Sequence, residues 1–207
     1  MYLPEQFVAD EATVSRILAT FGAAELVTCT NGVYDATTTP MVFHPEVGEH
    51  GVLRGHLSRD NLQWQHAGDA LVIIRGVDGY ITPTFYPSAQ EHGQVVPTWS
   101  YETVNVHGTL TAIDDANWLN QHLRSLTEKY EAYEPVPWSV DDTPDGYIAK
   151  RFVSLIGVEF AITRIDAKAK LSQTKPVKDV AGVIAGLDAR GDAALRDATR
   201  NANRDRL

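Results

Sequence analysis

The chain has one cysteine in 207 residues, Cys29. That excludes an internal disulfide and fits a reducing compartment. Cys29 lies in AELVTCT, a strand-like stretch where a thiol packs as a small half-buried side chain rather than serving as a nucleophile. Long apolar runs are missing as well, and none approaches the roughly 20 residues that span a bilayer. The opening MYLPEQFVADEA has neither the basic start nor the apolar core of a signal peptide. Both features point to a cytoplasmic protein with no membrane partner. There are seven histidines, but no HExxH, no paired cysteines and no carboxylate-rich calcium loop, so no metal site is assigned. GxSxG, Walker and GxGxxG motifs are absent, and no catalytic residue stands out. Positive charge is scarce: 18 Lys and Arg face 27 Asp and Glu, a net charge of −9. That argues against nucleic-acid binding by the whole surface. The deficit is uneven, because residues 164–207 hold ten Lys and Arg against six Asp and Glu. This basic tail is either a solvated helix face or a contact for DNA or an acidic partner.

What is present reads as a mainly β chain with peripheral helices. Val14, Ile17, Leu18 and Phe21 recur at helical spacing after a capping Asp10, and Gly22 ends that helix. Ala24–Thr30 is a strand, Asn31-Gly32 a hairpin turn, and ATTTPMVF the return strand, with Pro40 suggesting an edge or a bulge. A strand covers 51–56. Asp69–Arg75 is a further strand, and Asp78-Gly79 turns it into a strand over Tyr80–Tyr86. Val96–Ile113 is a long strand. Asp114 or Asp115 caps a helix bearing Leu119, Leu123, Leu126 and Tyr130. Tyr147–Leu155 reads as helix and Ile156–Ile165 as the last strand. Two helices follow, around Val180–Leu187 and Asp192–Arg200. Six or seven strands with hairpin-like links fit a small antiparallel barrel better than a doubly wound sheet. The expected division is a barrel domain over 1–166 and a polar, basic helical tail over 167–207.

GHLSRDNLQW, residues 55–64, reads as a strand end, a polar turn and a helix start. Ser58, Asp60 and Asn61 are helix-capping types, and a helix start offers unpaired N–H groups to a phosphate. Arg59 adds a planar, permanently charged fork suited to phosphate oxygens. The plainer reading is an ordinary loop with an exposed arginine. Trp64, Tyr80, Tyr86, Trp99 and Tyr101 are candidates to wall a flat ligand, with Thr82, Thr84, Thr98, Ser100 and Asn105 bonding its edges. The plainer reading here is barrel core.

Several stretches match one family in order. MYLPEQF resembles MYxPxxF, ATTTPM resembles ATHLPL, and GHLSRDNLQW resembles GHxARxNxQW. YITPTFY resembles YISPxWY, VPTWSYETVNVHG resembles VPTWNYxxVHxxG, and KAKLSQTKP resembles KxKLSQN. The chain thus resembles the PaiB-type family of FMN-binding negative transcriptional regulators. That resemblance implies a split β-barrel like that of pyridoxamine-phosphate oxidases and flavin reductases, in a homodimer with FMN at the subunit interface. It implies phosphate at Ser58, Arg59 and Asn61, with His56 orienting the turn or meeting a phosphate oxygen. The ring is expected along Thr37, Thr38 and Pro40 and along Tyr80 and Thr82, with Trp99 and Tyr101 supplied by the partner. Lys170, Ser172 and Gln173 either close the site or fix the tail. The chain departs from the family pattern at Thr38, Thr39, Phe85, Ser100 and Thr174, where the motifs have His, Leu, Trp, Asn and Asn. Regulation through DNA or a regulatory protein is the function the resemblance implies. The alternatives are a flavin-dependent oxidoreductase, a haem protein using His44, His92 or His107, and a deazaflavin protein.

Overall fold

The computed structural model describes residues 1–144 and 146–207. Six strands form the sheet: β1 (Ala23–Thr30), β2 (Val33–His44), β3 (Val52–Ser58), β4 (Gly68–Ile81), β5 (Thr98–Ile113) and β6 (Leu155–Lys170). The first hairpin forms at Asn31-Gly32, whose φ angles of 53° and 80° give the left-handed pair a tight hairpin requires. It sets the register from Thr30↔Val33 to Ala23↔Pro40. β3 then pairs antiparallel with both β2 and β6. The strand order is β1-β2-β3-β6-β5-β4, and β4 returns to pair with β1, closing a barrel. Pro40 is therefore not on an edge. It sits where β2 passes from pairing with β1, ending at Ala23↔Pro40, to pairing with β3, starting at Met41↔Gly55.

The chain falls into two compact units. The first holds Met1–Ile17, Arg75–Val104 and Asp166–Leu207, and the second holds Leu18–Ile74 and Asn105–Ile165. The tail from Asp166 on shares its unit with Met1–Ile17 and Arg75–Val104, and β6 runs on to Lys170 rather than ending at Ile165. In the second unit Leu26, Met41, Leu53, Val72, Ile74, Val106 and Phe160 are buried. A Cβ at Gly108 would lie 2.1 Å from the Ala161 carbonyl oxygen, so only glycine lets β5 come this close to β6. The helix α3 (Ala116–Glu131) starts at Asp115, whose carboxylate accepts from Trp118 N at 2.7 Å. α4 is short, Tyr147–Phe152.

In the first unit the tail helices α5 (Val177–Ala189) and α6 (Ala193–Asn201) stand where periodicity predicts them. With α2 (Pro87–His92) they enclose a core of Ile81, Tyr86, Leu171, Val183, Leu187 and Leu195. Asn203 Nδ2 donates to Leu171 O at 2.8 Å and pins the chain end. α1 (Glu11–Thr20) spans the boundary in sequence.

Two expectations fail here. β4 runs straight through Asp78-Gly79, and Gly79 is small because a Cβ there would meet Leu195 Cδ2 at 2.8 Å. After Ile81 the chain leaves the sheet for a 3-10 turn at Pro83–Phe85 and then α2, so Tyr80–Tyr86 is not a strand. Thr82 caps that turn by accepting from Thr84 N at 3.3 Å. Among the described residues no helix is long and apolar enough to cross a membrane.

Candidate functional site

The expected site residues divide between the units. Thr37, Thr38, Pro40, His56, Ser58, Arg59 and Asn61 belong to the second, and Tyr80, Thr82, Trp99, Tyr101, Lys170, Ser172 and Gln173 to the first.

In the second unit β3 ends at Ser58, and the chain turns through Arg59-Asp60. Asn61 N donates to Ser58 O at 3.0 Å, and Ser58 Oγ accepts from Asp60 N at 3.3 Å. The helix that follows, Leu62–Gln65, is a four-residue 3-10 segment, too short for the macrodipole expected of an α-helix start. Its cap is Asn61, whose Oδ1 accepts from Gln63 N at 3.1 Å and whose Nδ2 donates to Thr37 Oγ1 at 2.9 Å. Gln63 is the residue sequence reading missed. It is buried, and its Nε2 reaches Leu26 O at 2.9 Å, Thr28 Oγ1 at 3.2 Å and Asp35 O at 3.2 Å, clamping the turn to the first hairpin. Its one signal was the matched Gln of GHxARxNxQW, which does not say what the side chain meets.

Arg59 is fixed through its backbone. Its N–H donates to Ser154 O at 2.9 Å, and its carbonyl accepts from Trp64 Nε1 at 3.2 Å. Its guanidinium holds both oxygens of Asp114, with Nη1 at 3.1 Å from one of them. The pair faces solvent, at 32% and 69% side-chain exposure. The guanidinium holds the Asp114 carboxyl below the usual carboxylate range, and Asp114 in turn raises Arg59. Exposed pairs of this kind add little to stability, and a guanidinium that grips a carboxylate in two places grips a phosphate the same way.

Thr38 and Pro40 are exposed on β2 and Thr37 is half-buried. Thr39 turns inward and donates to His56 O at 3.0 Å, a use for the hydroxyl that stands where the family motif has Leu. The His56 ring is not aimed at the phosphate turn. Its Nδ1 lies 3.1 Å from His122 Nε2 on α3. His122 stacks on Trp118 at 5.4 Å. Arg54 lies 5.8 Å over the same indole while its Nε donates to Glu159 at 2.8 Å. Burial lowers both histidines, His56 below the ordinary value and His122 to about 3, the latter aided by neighbouring positive groups. Burial thus disfavours the charged form of both imidazoles, which share one hydrogen bond. The α3 periodicity does place His122 three residues after Leu119, on the buried stripe, which was its only signal.

In the first unit Trp99 is 52% exposed and Tyr80 46% exposed. Their rings lie 6.4 Å apart, and the Trp99 indole N–H donates to Asp78 at 2.7 Å. The two exposed rings are tilted 56° to one another. Tyr101 is half-buried, with Lys168 Nζ 5.7 Å from its ring. Tyr86 cannot wall a ligand, because it is fully buried in the core of this unit. Gln173 grips its own backbone: Oε1 accepts from Leu171 N and Nε2 donates to Ala169 O, both at 2.7 Å. Lys170 Nζ donates to Thr98 Oγ1 at 2.8 Å. Among the haem candidates, His44 Nδ1 is 3.1 Å from Glu46, His92 Nδ1 accepts from Gln94 N at 3.0 Å, and His107 lies on β5. The tail arginines are engaged at home. Arg196 bonds Asp188 and Asp197, Arg200 bonds Asp197, Arg190 bonds Asp192, and Arg206 bonds the carbonyls of Gln173 and Lys175.

Residues 1–164 match the family described as "Putative FMN-binding domain". An uncharacterized protein of Aspergillus fumigatus is 31% identical over 176 residues, covering 68% of this chain and 67% of its own. The protease synthase and sporulation protein PAI 2 of Bacillus subtilis is 27% identical over 188 residues, covering 89% of this chain and 87% of its own. Among solved structures, the FAD and heme binding protein of Mycobacterium smegmatis aligns with a TM-score of 0.55 at 17% identity, over 80% of this chain and 74% of that one. A likeness at that identity shows a shared fold, the split barrel expected from the sequence.

Proposed function

The chain belongs to this PaiB-type FMN-binding family, and from that premise we propose that it binds FMN in a homodimer and acts as a negative transcriptional regulator. The observation that carries the FMN reading is Arg59: a guanidinium fixed through its backbone, facing solvent, and answered by a single exposed carboxylate. The donor set fits a phosphate monoester. Ser58 and Asn61 flank Arg59 in sequence, and an incoming phosphate replaces Asp114 without uncovering a buried charge. Tyr80 and Trp99, along which the resemblance expects the ring, are both exposed. FMN supplies hydride and electron transfer when bound, and the protein supplies position and charge. Regulation follows from the family resemblance. Because Arg196 and Arg200 are engaged with carboxylates and Arg206 with a carbonyl of the tail, a regulatory protein suits this surface better than direct DNA contact by the tail.

The test is a visible spectrum of the purified protein after gel filtration with added FMN, alongside its mass in solution. Flavin bands that travel with a dimer are expected. A colourless protein that leaves FMN behind contradicts the reading. The Mycobacterium smegmatis neighbour binds FAD and haem, so the same column carries arms with FAD, haem and a deazaflavin. Retention of one of these in place of FMN replaces the FMN reading.

A further inference from the structure

We propose that the first unit holds an oxyanion site of its own, in a cavity of about 220 Å³ at the end of β6. Lys170 and Lys175 line it, with the hydroxyl-bearing Thr98, Ser100, Ser172 and Thr174, and no carboxylate does. That is unusual in a chain of net charge −9. Several cations elsewhere meet acids: Arg54 pairs with Glu159, Arg59 with Asp114 and Lys178 with Glu91. Lys170 instead donates to a neutral hydroxyl, Thr98 Oγ1, which leaves two of its three N–H donors for a ligand. Lys175 stands 4.8 Å over the Tyr86 ring.

Ser172 is the independent sign of a ligand. It is 8% exposed, and its Oγ has no hydrogen-bond partner. A buried hydroxyl left unpaired costs free energy that a bound acceptor restores. Its backbone stands at φ 68°, directly after the segment that Gln173 grips at Leu171 N and Ala169 O. Two ammonium groups and a cluster of hydroxyls select a compact dianion, and the volume is below that of pockets for drug-sized ligands, roughly 300 Å³ and above. The ligand class is an oxyanion, phosphate above all. Its source is a free small anion, since the proposed function assigns the flavin's own phosphate to the Arg59 turn.

The experiment is calorimetric titration of the full-length chain with inorganic phosphate at constant ionic strength. It is run on the natural protein and on Arg59→Ala, which silences the turn of the second unit. Saturable binding is expected in both. Lys170→Met with Lys175→Met should weaken it at least tenfold, roughly the loss of two charge-assisted bonds. Ser172→Gly keeps the backbone conformation accessible, protects against a folding artefact, and should weaken binding about threefold, the loss of one neutral bond. Lys178→Met, a lysine of the same unit already paired with Glu91, should change nothing. Competition tests the source. Phosphate displaced by neither FMN nor riboflavin from Arg59→Ala is expected of a separate site, and displacement by FMN alone overturns that separateness. No saturable binding to Arg59→Ala, or equal binding in the lysine double variant, overturns the site. Failure of FMN to travel with the protein is a separate result, since the phosphate titration needs no flavin.

Discussion

Arg59 follows the last residue of β3, and Lys170 is the last residue of β6. Both are cations at strand ends of an acidic chain, yet the protein treats them oppositely. Arg59 carries its counter-ion with it. Asp114 grips the guanidinium in two places, and the pair stands in solvent where an anion can exchange for it. Lys170 has a hydroxyl for a neighbour, a second lysine lining the same cavity, and a buried serine with nothing to bond. A motif of the right residue types locates a cation. Whether that cation is already answered depends on residues far off in sequence, such as Asp114, 55 positions beyond Arg59.

The contrast extends to pH. The second unit buries two imidazoles and so disfavours their charged forms, while the cavity of the first unit contains no histidine. His122 falls from 6.5 to about 3 in the folded protein. Between those values the unfolded chain binds a proton that the folded chain refuses. Stability is therefore full above pH 6.5 and is lost as pH falls through that value and on toward 3. At pH 5 the loss from His122 alone is about 2 kcal/mol, at roughly 1.4 kcal/mol per unit. Urea unfolding at pH 7.5 and pH 5 measures it. His122→Gln, which cannot titrate, should flatten the difference. An unchanged acid loss in that variant would place the sensitivity elsewhere.

A smaller effect sharpens the comparison at the turn itself. If Asp114 competes with an incoming phosphate, Asp114→Asn should tighten FMN binding by a few-fold, the scale of an exposed ion pair. Fluorescence titration of FMN into both proteins reads this, and weaker binding in the variant would mean that Asp114 supports the site rather than competing for it.

Much of this was legible in the chain. Asn31-Gly32 announced its hairpin, the helical periods of the tail placed α5 and α6, and the ordered motifs carried the split barrel. The failures share a cause. Asp78-Gly79 has turn chemistry, but its glycine is there to let Leu195 of α6 approach β4, a contact more than a hundred residues away in sequence. Tyr86 looks like a ligand wall and is core, because α5 and α6 cover it. His56 looked available to a phosphate until α3 brought His122 to its ring. Local spacing sets element type and turn position. It does not say which partner a side chain meets once distant segments pack, and at the candidate site those partners decide which groups remain for a ligand.

The central claim is that the Arg59 turn holds the phosphate of a bound flavin. The direct test is the ratio of FMN to riboflavin affinity in the natural protein and in Arg59→Ala, since the two ligands differ only in that phosphate. The account predicts FMN tighter by roughly tenfold or more in the natural protein, the scale of a charge-assisted bidentate contact, and a ratio near one in the variant. Equal affinities in the natural protein, or a preference for FMN that survives Arg59→Ala intact, would contradict it.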